Sequence, residues 1–344
     1  MFPSIPQEVI DLCIDNLSFS ITDSDPTCPA WKALLRCSLV SHAFGQRARH
    51  HIFSYVVIKP SPEDIRSQRF RDIMKEDLNI CQFIRTLEIH IVDKLEGDDE
   101  TATSETGLPD ILNMVSPSSG GQGINGFKLY GTLNSWSRVH KDFQLALFGL
   151  IHNIKETSTS VRGGEFKTLK SIHISGFKEV PVALITNCSY TIKNMSIQYL
   201  SFIDAPDGVK SQASNLAPSK KEQGLATESP AHSPLVLRPN FVLEKFHFSG
   251  NMNGNIDSLA TALMREPFPF SGLEELVTYP RCPGDLAFVW RVLRVASKSL
   301  RVFKLYAITL LTMSERLKDT VCSTLLVRLA WVVVEGLDIQ GKLT

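Results

Sequence analysis

Residues 169–174 read Leu-Lys-Ser-Ile-His-Ile: one apolar residue, two of any kind, then two apolar residues separated by one. The alternation at the end of this stretch is that of a short strand with every second side chain turned inward. The same spacing returns at Ile84, Leu87 and Ile89; at Ile124, Phe127 and Leu129; at Ile192, Met195 and Ile197; and at Leu243, Phe246 and Phe248. It recurs at Leu273 and Leu276, at Leu300, Phe303 and Leu305, and at Val334, Leu337 and Ile339. In a chain that is 43% hydrophobic such matches arise often by chance, so the segments between them decide what they mean.

Those segments have the helical period. Phe143, Leu147, Leu150, Ile151 and Ile154 form one stripe, Ile256, Leu259, Ala260 and Leu263 a second, and Leu286, Val289, Trp290, Leu293 and Ala296 a third that opens after Pro283. Upstream, FSYVVIKP (53–60) reads as a strand closed by Pro60. Ser61, Pro62 and Asp64 then start a helix whose buried stripe is Ile65, Phe70, Ile73, Met74 and Leu78. Strand and helix alternate with a period of about 25 to 45 residues, which predicts an α/β solenoid in which each unit hides its neighbour's apolar face. The array resembles a leucine-rich repeat in degenerate form. The asparagine of that repeat is present at Asn251, while Phe177, Leu200, Arg281 and Ile308 stand at the matching places. A doubly wound α/β domain is the competing architecture. No glycine-rich phosphate loop follows any of these strands, so the solenoid is preferred.

On such an array the residues between the inward ones form one polar face. Thr86, Ser171, Asn194 and Ser196 belong to it, and its candidate target contacts are Glu88, His90, His173, Gln198, Lys245, His247, Glu275, Tyr279, Lys304 and Tyr306. His90, His173 and His247 are read at equivalent strand positions, as a pH-sensing or metal-binding stripe would require. Ordinary polar residues on a solvated face are the preferred reading of the three.

The N-terminal stretch Ile5 to Phe53 has a different character. IPQEVIDLCIDNL (5–17) predicts a helix that opens at Pro6, with Ser4 and Gln7 as a capping box and Val9, Ile10, Cys13, Ile14 and Leu17 on its apolar side. LLRCSLVSHAFGQRARHHIF (34–53) predicts two more short helices, with Leu35 and Leu39 on one and Phe44, Ala48 and Ile52 on the other. About fifty residues bury too little apolar surface to stand comfortably alone, so this unit needs a cover. The segment resembles an F-box of the form common in basidiomycete fungi. The resemblance rests on Ile5, Pro6, Glu8, Val9, Ile14, Asp15 and Leu17, on Cys37 to Ser41, and on Arg49, Ile52 and Phe53. Phe44 stands where the family usually has tryptophan, and SFSITDSDPTCPAW (18–31) makes a longer connection than usual.

That resemblance implies a three-helix domain over residues 1–55 that docks on the Skp-family adaptor of a cullin-based ubiquitin ligase. The implied adaptor contacts are Ile5, Pro6, Val9, Ile10, Cys13, Leu17, Leu35, Cys37, Leu39, Val40 and Phe44. Residues 56–344 then form the leucine-rich-repeat-like part, which holds an unknown target protein. The alternative is an interaction scaffold in which the N-terminal helices merely cap the array.

Two stretches interrupt the repeats: 93–110, acidic and rich in Thr, Ser and Gly, and 204–240, rich in Pro, Ser, Ala and Lys. Their composition predicts solvated insertions without a core of their own. The chain carries 36 basic and 36 acidic residues, so no global field draws it to nucleic acid or to a membrane surface. Its start has neither a basic n-region nor an apolar h-region, and it lacks an apolar run of about eighteen residues. Seven cysteines without a C-x-x-C pair fit a reducing compartment, which predicts a cytoplasmic or nuclear protein. Cys28, Cys37, His42 and His51 have spacings that suit no common zinc site. No G-x-S-x-G elbow, H-E-x-x-H helix or phosphate-binding loop occurs, and Cys188 and Cys282 lack a local histidine signature. The sequence therefore predicts a chain without cofactor or catalytic role of its own.

Overall fold

A computed structural model describes residues 5–19, 28–59, 66–91, 107–116, 123–157, 169–189, 192–203, 243–250, 256–264 and 269–306. Helices α1 (Gln7–Phe19), α2 (Pro29–Val40) and α3 (His42–Ile52) precede strand β1 (Tyr55–Ile58). Helices α4 (Arg66–Glu76) and α5 (Asn79–Phe83) lead to β2 (Thr86–Ile91), and α6 (Leu108–Val115) leads to β3 (Gly126–Ser135). Next come α7 (Lys141–Thr157), β4 (Ser171–Lys178), β5 (Val180–Pro181), α8 (Val182–Ser189), β6 (Asn194–Gln198) and β7 (Phe202–Ile203). The last described elements are β8 (Lys245–Ser249), α9 (Asp257–Leu263), β9 (Glu275–Tyr279), α10 (Pro283–Ala296) and β10 (Val302–Leu305). The chain is thus mixed α/β, and its described strands pair in parallel.

Two compact units divide these elements: Met1–Lys178 with Thr191–Leu200, and Glu179–Tyr190 with Ser201–Thr344. In the first, β1, β2, β3, β4 and β6 lie side by side in chain order. A doubly wound sheet reverses its strand order at a switch point, and this order does not reverse. The strand entries share one geometry. The carbonyl of Ser54 accepts from the amides of Arg85 and Thr86, that of Arg85 from Asn125 and Gly126, that of Asn125 from Lys170 and Ser171, and that of Lys170 from Lys193 and Asn194. Just before each of these entries sits a buried residue, Ile84, Ile124, Leu169 or Ile192. The strands then alternate as their spacing predicts: Leu87, Ile89, Phe127, Leu129, Ile172, Ile174, Met195 and Ile197 are all buried. Each such side chain contributes roughly 1.5–3 kcal/mol relative to exposure.

In the second unit β8, β9 and β10 run parallel in chain order, with the same paired amides donated to Glu244 and Glu274. Phe246, Phe270 and Phe288 fill its core with ring centroids 5.2 to 6.4 Å apart. Strands β5 and β7 form a separate parallel pair. The pattern at Val334, Leu337 and Ile339 and the insertion at 204–240 lie outside the described residues. So does most of the 93–110 stretch, but its end differs from expectation. Residues 108–110 open α6, whose Leu108, Ile111, Leu112 and Val115 are buried. The predicted stripe of α4 is also narrower than expected: Met74 is buried, whereas Ile73 and, beyond the helix, Leu78 face solvent.

Helices α1 to α3 belong to the first unit and close on a core of Ile10, Ile14, Leu34, Ala48 and Ile52, with Leu17, Trp31, Cys37, Ala43, Phe44 and Phe53 packed around it. Gly45 permits the close crossing of α3 on α2, because a Cβ there would sit 3.1 Å from the Ser38 carbonyl oxygen. Ser41 caps α3 by accepting from the Phe44 amide. Gln7 turns its amide along α1 to Asp11; Ser4, its predicted capping partner, is outside the described residues.

Asp15 ties α1 to α3. Arg47 donates to its carboxylate from Nε and from Nη2, each at 2.7 Å, and His51 Nε2 lies 2.7 Å from the same group. These hydrogen bonds, from Arg47 above all, hold the Asp15 carboxyl well below the usual carboxylate range. Because the folded value lies below the unfolded one, the linked stability is present at neutral pH and is lost as pH falls below about 4. Asp15→Asn is expected to cost about 1–2 kcal/mol at pH 7. The gap to the parent chain, read from urea midpoints, should narrow steadily as pH drops under about 4.

Candidate functional site

The helical bundle has a closed core and yet leaves aliphatic side chains in water. Leu39 is 86% exposed, Val40 67%, Ile5 and Leu12 62% each, with Val9 and Leu35 also exposed. Pro6 and Cys13 lie in solvent as well. Isolated exposed leucines are ordinary, but several aliphatic side chains left in water on two packed helices are surface of the kind that interaction sites use. Of the other predicted adaptor contacts, Ile10 is a core residue, while Leu17, Cys37 and Phe44 are partly buried and pack on that core. The three-to-four spacing in α1 admits two neighbouring stripes. Ile10, Ile14 and Leu17 take the inner one, and Val9 and Cys13 fall outside it. Leu12 was not singled out by that spacing, although it lies a single turn from Val9.

On its other side α3 meets the strand region. The His50 and Phe83 rings pack edge to face at 6.3 Å, and Arg85 Nη2 is 2.7 Å from His50 Nε2. This contact is made by α3 through His50, while Val9 and Leu12 of α1 and Leu35, Leu39 and Val40 of α2 are exposed.

The polar face of the first unit is a connected network. Cross-strand register places Val57, Glu88, Lys128, His173 and Ser196 in one row, and His90, Tyr130, Ser175 and Gln198 in the next. The expected equivalence of His90 with His173 is thereby corrected: His173 is level with Glu88, and His90 stands two residues further along. In the second unit His247 is level with Val277 and Lys304. Glu88 accepts from the Tyr55 hydroxyl, lies 2.7 Å from His90 Nε2 and 3.5 Å from Lys128 Nζ. Burial pushes the Glu88 carboxyl up, but the hydrogen bonds from Tyr55 and His90 and the charge of Lys128 outweigh it, so the group stays ionised below its ordinary value. The rings of His90, Tyr130 and His173 then line up at centroid spacings of 4.7 and 4.8 Å. His173 Nδ1 is 2.9 Å from Ser196 Oγ, to which Gln198 also donates. Tyr55, Lys128 and Tyr130 were missed by the sequence reading, although the alternation places them on this face.

In the second unit Glu275 lies between Lys245 at 3.0 Å and Lys304 at 3.6 Å. The Lys245 hydrogen bond leads in lowering the Glu275 carboxyl. Tyr279 stacks on Tyr306 with centroids 4.5 Å apart and an interplanar angle of 6°, and its other neighbour is His247 at 5.4 Å. Burial pushes the His247 imidazole down toward its neutral form. Cys188 is fully buried, which pushes its thiol far up and away from the thiolate that nucleophilic chemistry needs. Among the described residues no set of three or more His, Cys, Asp and Glu side chains is placed to hold a metal ion, and no helix is long and apolar enough to cross a membrane.

No protein-family model matches the chain, and no curated protein matches it.

Proposed function

We propose that the chain is the substrate-recognition subunit of a Skp–cullin–F-box ubiquitin ligase. In this reading α1 to α3 are an F-box that docks on a Skp-family adaptor and through it on a cullin. The repeated strand-helix units are a degenerate leucine-rich-repeat solenoid whose polar strand face holds the target protein. The observation that carries it is the aliphatic surface of α1 and α2, left in water beside a bundle core that is already closed. A capping role would bury Val9, Ile10, Cys13 and Leu17 against the first repeat; Val9 and Cys13 are exposed, while Ile10 and Leu17 pack in the bundle's own core.

The chain performs no bond chemistry in this mechanism. It holds a target lysine near a ubiquitin-charged enzyme at an effective concentration on the order of millimolar, so that a bimolecular transfer proceeds as an intramolecular one. Co-expression of the full chain with a Skp-family adaptor is expected to yield a one-to-one complex that survives gel filtration. Failure of the folded chain to retain the adaptor would end this reading.

A further inference from the structure

The solvent side of α2 carries charge as well as apolar surface. At about 100° per residue, Lys32, Leu35, Arg36, Leu39 and Val40 fall within roughly 140° of the helix circumference. All five are exposed, and neither Lys32 nor Arg36 has an ion-pair partner among the described residues. Between residues 28 and 59 the chain has Lys32, Arg36, Arg47, Arg49 and Lys59 but no Asp or Glu. Among the described residues of the bundle the acids are those of α1, Glu8, Asp11 and Asp15, and Asp15 is already bound to Arg47 and His51.

Resting on the adaptor reading above, we infer that the partner surface covering α2 is an apolar patch bordered by Asp or Glu carboxylates, and that its docking is steered by charge. Covering Leu35 and Leu39 brings Lys32 and Arg36 to the interface margin, where a desolvated cation without a counter-charge is costly. Carboxylates opposite them remove that cost and raise the association rate in a salt-dependent way. A second copy of this chain fits less well. Among the described residues of the bundle it offers Glu8 and Asp11, both on α1, against Lys32, Arg36 and the exposed Arg49. An anionic bilayer would draw Glu8 and Asp11 toward a negative surface.

The test is the affinity of the full-length chain for a purified Skp-family adaptor at about 50 and about 300 mM NaCl, near and beyond the regime where screening sets in. Affinity is expected to fall at least tenfold across that range. The exposed-surface variant Lys32→Glu/Arg36→Glu is expected to lose about a hundredfold at the lower salt with its circular dichroism unchanged. Lys32→Gln/Arg36→Gln should fall between and show a flatter salt dependence. A wild-type affinity that is flat with salt, together with a neutral charge reversal, would overturn the carboxylate-bordered partner and leave the adaptor dock standing. A wild-type chain that ignores the adaptor while self-associating in sedimentation, or while binding phosphatidylserine vesicles, would overturn both.

Discussion

Leu39→Asp is expected to weaken adaptor binding by at least about a hundredfold, equivalent to about 2.7 kcal/mol, while the thermal midpoint of the free chain barely moves. Both halves of that expectation follow from its position. At 86% exposure Leu39 contributes almost nothing to the bundle core, and exposed substitutions usually stay within about 0.5 kcal/mol. In the complex the same position would be covered, and a carboxylate there loses the apolar contact and adds a desolvation cost. Phe44 is a poorer probe, although it occupies the conspicuous aromatic position of the motif. Its ring is partly buried against Ile10, Ile14, Leu34, Ala48 and Ile52 as a group, so Phe44→Ala would loosen the bundle and confuse docking with folding. Full affinity in a folded Leu39→Asp chain would remove α2 from the dock.

The second large effect is at Gly176 in β4. Its φ is +76°, and a Cβ built there would run into the carbonyl oxygen of Gly131 on β3. The obstacle is backbone, so no rotamer change relieves it. The register between β3 and β4 shifts between Tyr130 and Asn134, beside this contact. Gly176→Ala combines a left-handed conformation that side chains resist with an overpacked strand pair, for an expected loss of about 3–5 kcal/mol. Trp136 is buried nearby, edge to face with Phe177 at 5.6 Å, so its fluorescence during urea unfolding, in a chain with Trp31, Trp290 and Trp331 replaced by Phe, reports on the region. A midpoint equal to that of the parent chain would show that β3 and β4 do not cross this closely.

How far these features could be read beforehand depends on what fixes each of them. The apolar positions from Ile84 to Phe303 that the spacing marked are buried, because alternation is a local property of a strand between a core and water. The histidine alignment failed because equivalence across strands is a matter of register, and only the pairing of Glu88 through Lys128 with His173 reveals that His90 is one row further on. Leu12 was passed over for a related reason. Periodicity shows that α1 has an apolar side, but its partners α2 and α3 decide that Ile10 and Ile14 go inward and that Val9 and Leu12 do not. The acidic stretch 93–110 overlaps only the first turn of α6, whose Leu108, Ile111, Leu112 and Val115 have helical spacing. The polar network of Tyr55, Glu88 and Lys128 joins residues far apart in the chain, and no local pattern announces it.

On the proposed function, the aliphatic residues left in water on α1 and α2 are the surface an adaptor covers. Cys13 gives the most direct measurement of it, since this thiol lies exposed on α1 while Cys81 and Cys188 are buried and serve as internal references. The rate of Cys13 alkylation in the full-length chain should drop at least about tenfold when saturating Skp-family adaptor is added, as expected for a group buried at an interface. An unchanged rate in the adaptor complex would contradict the account.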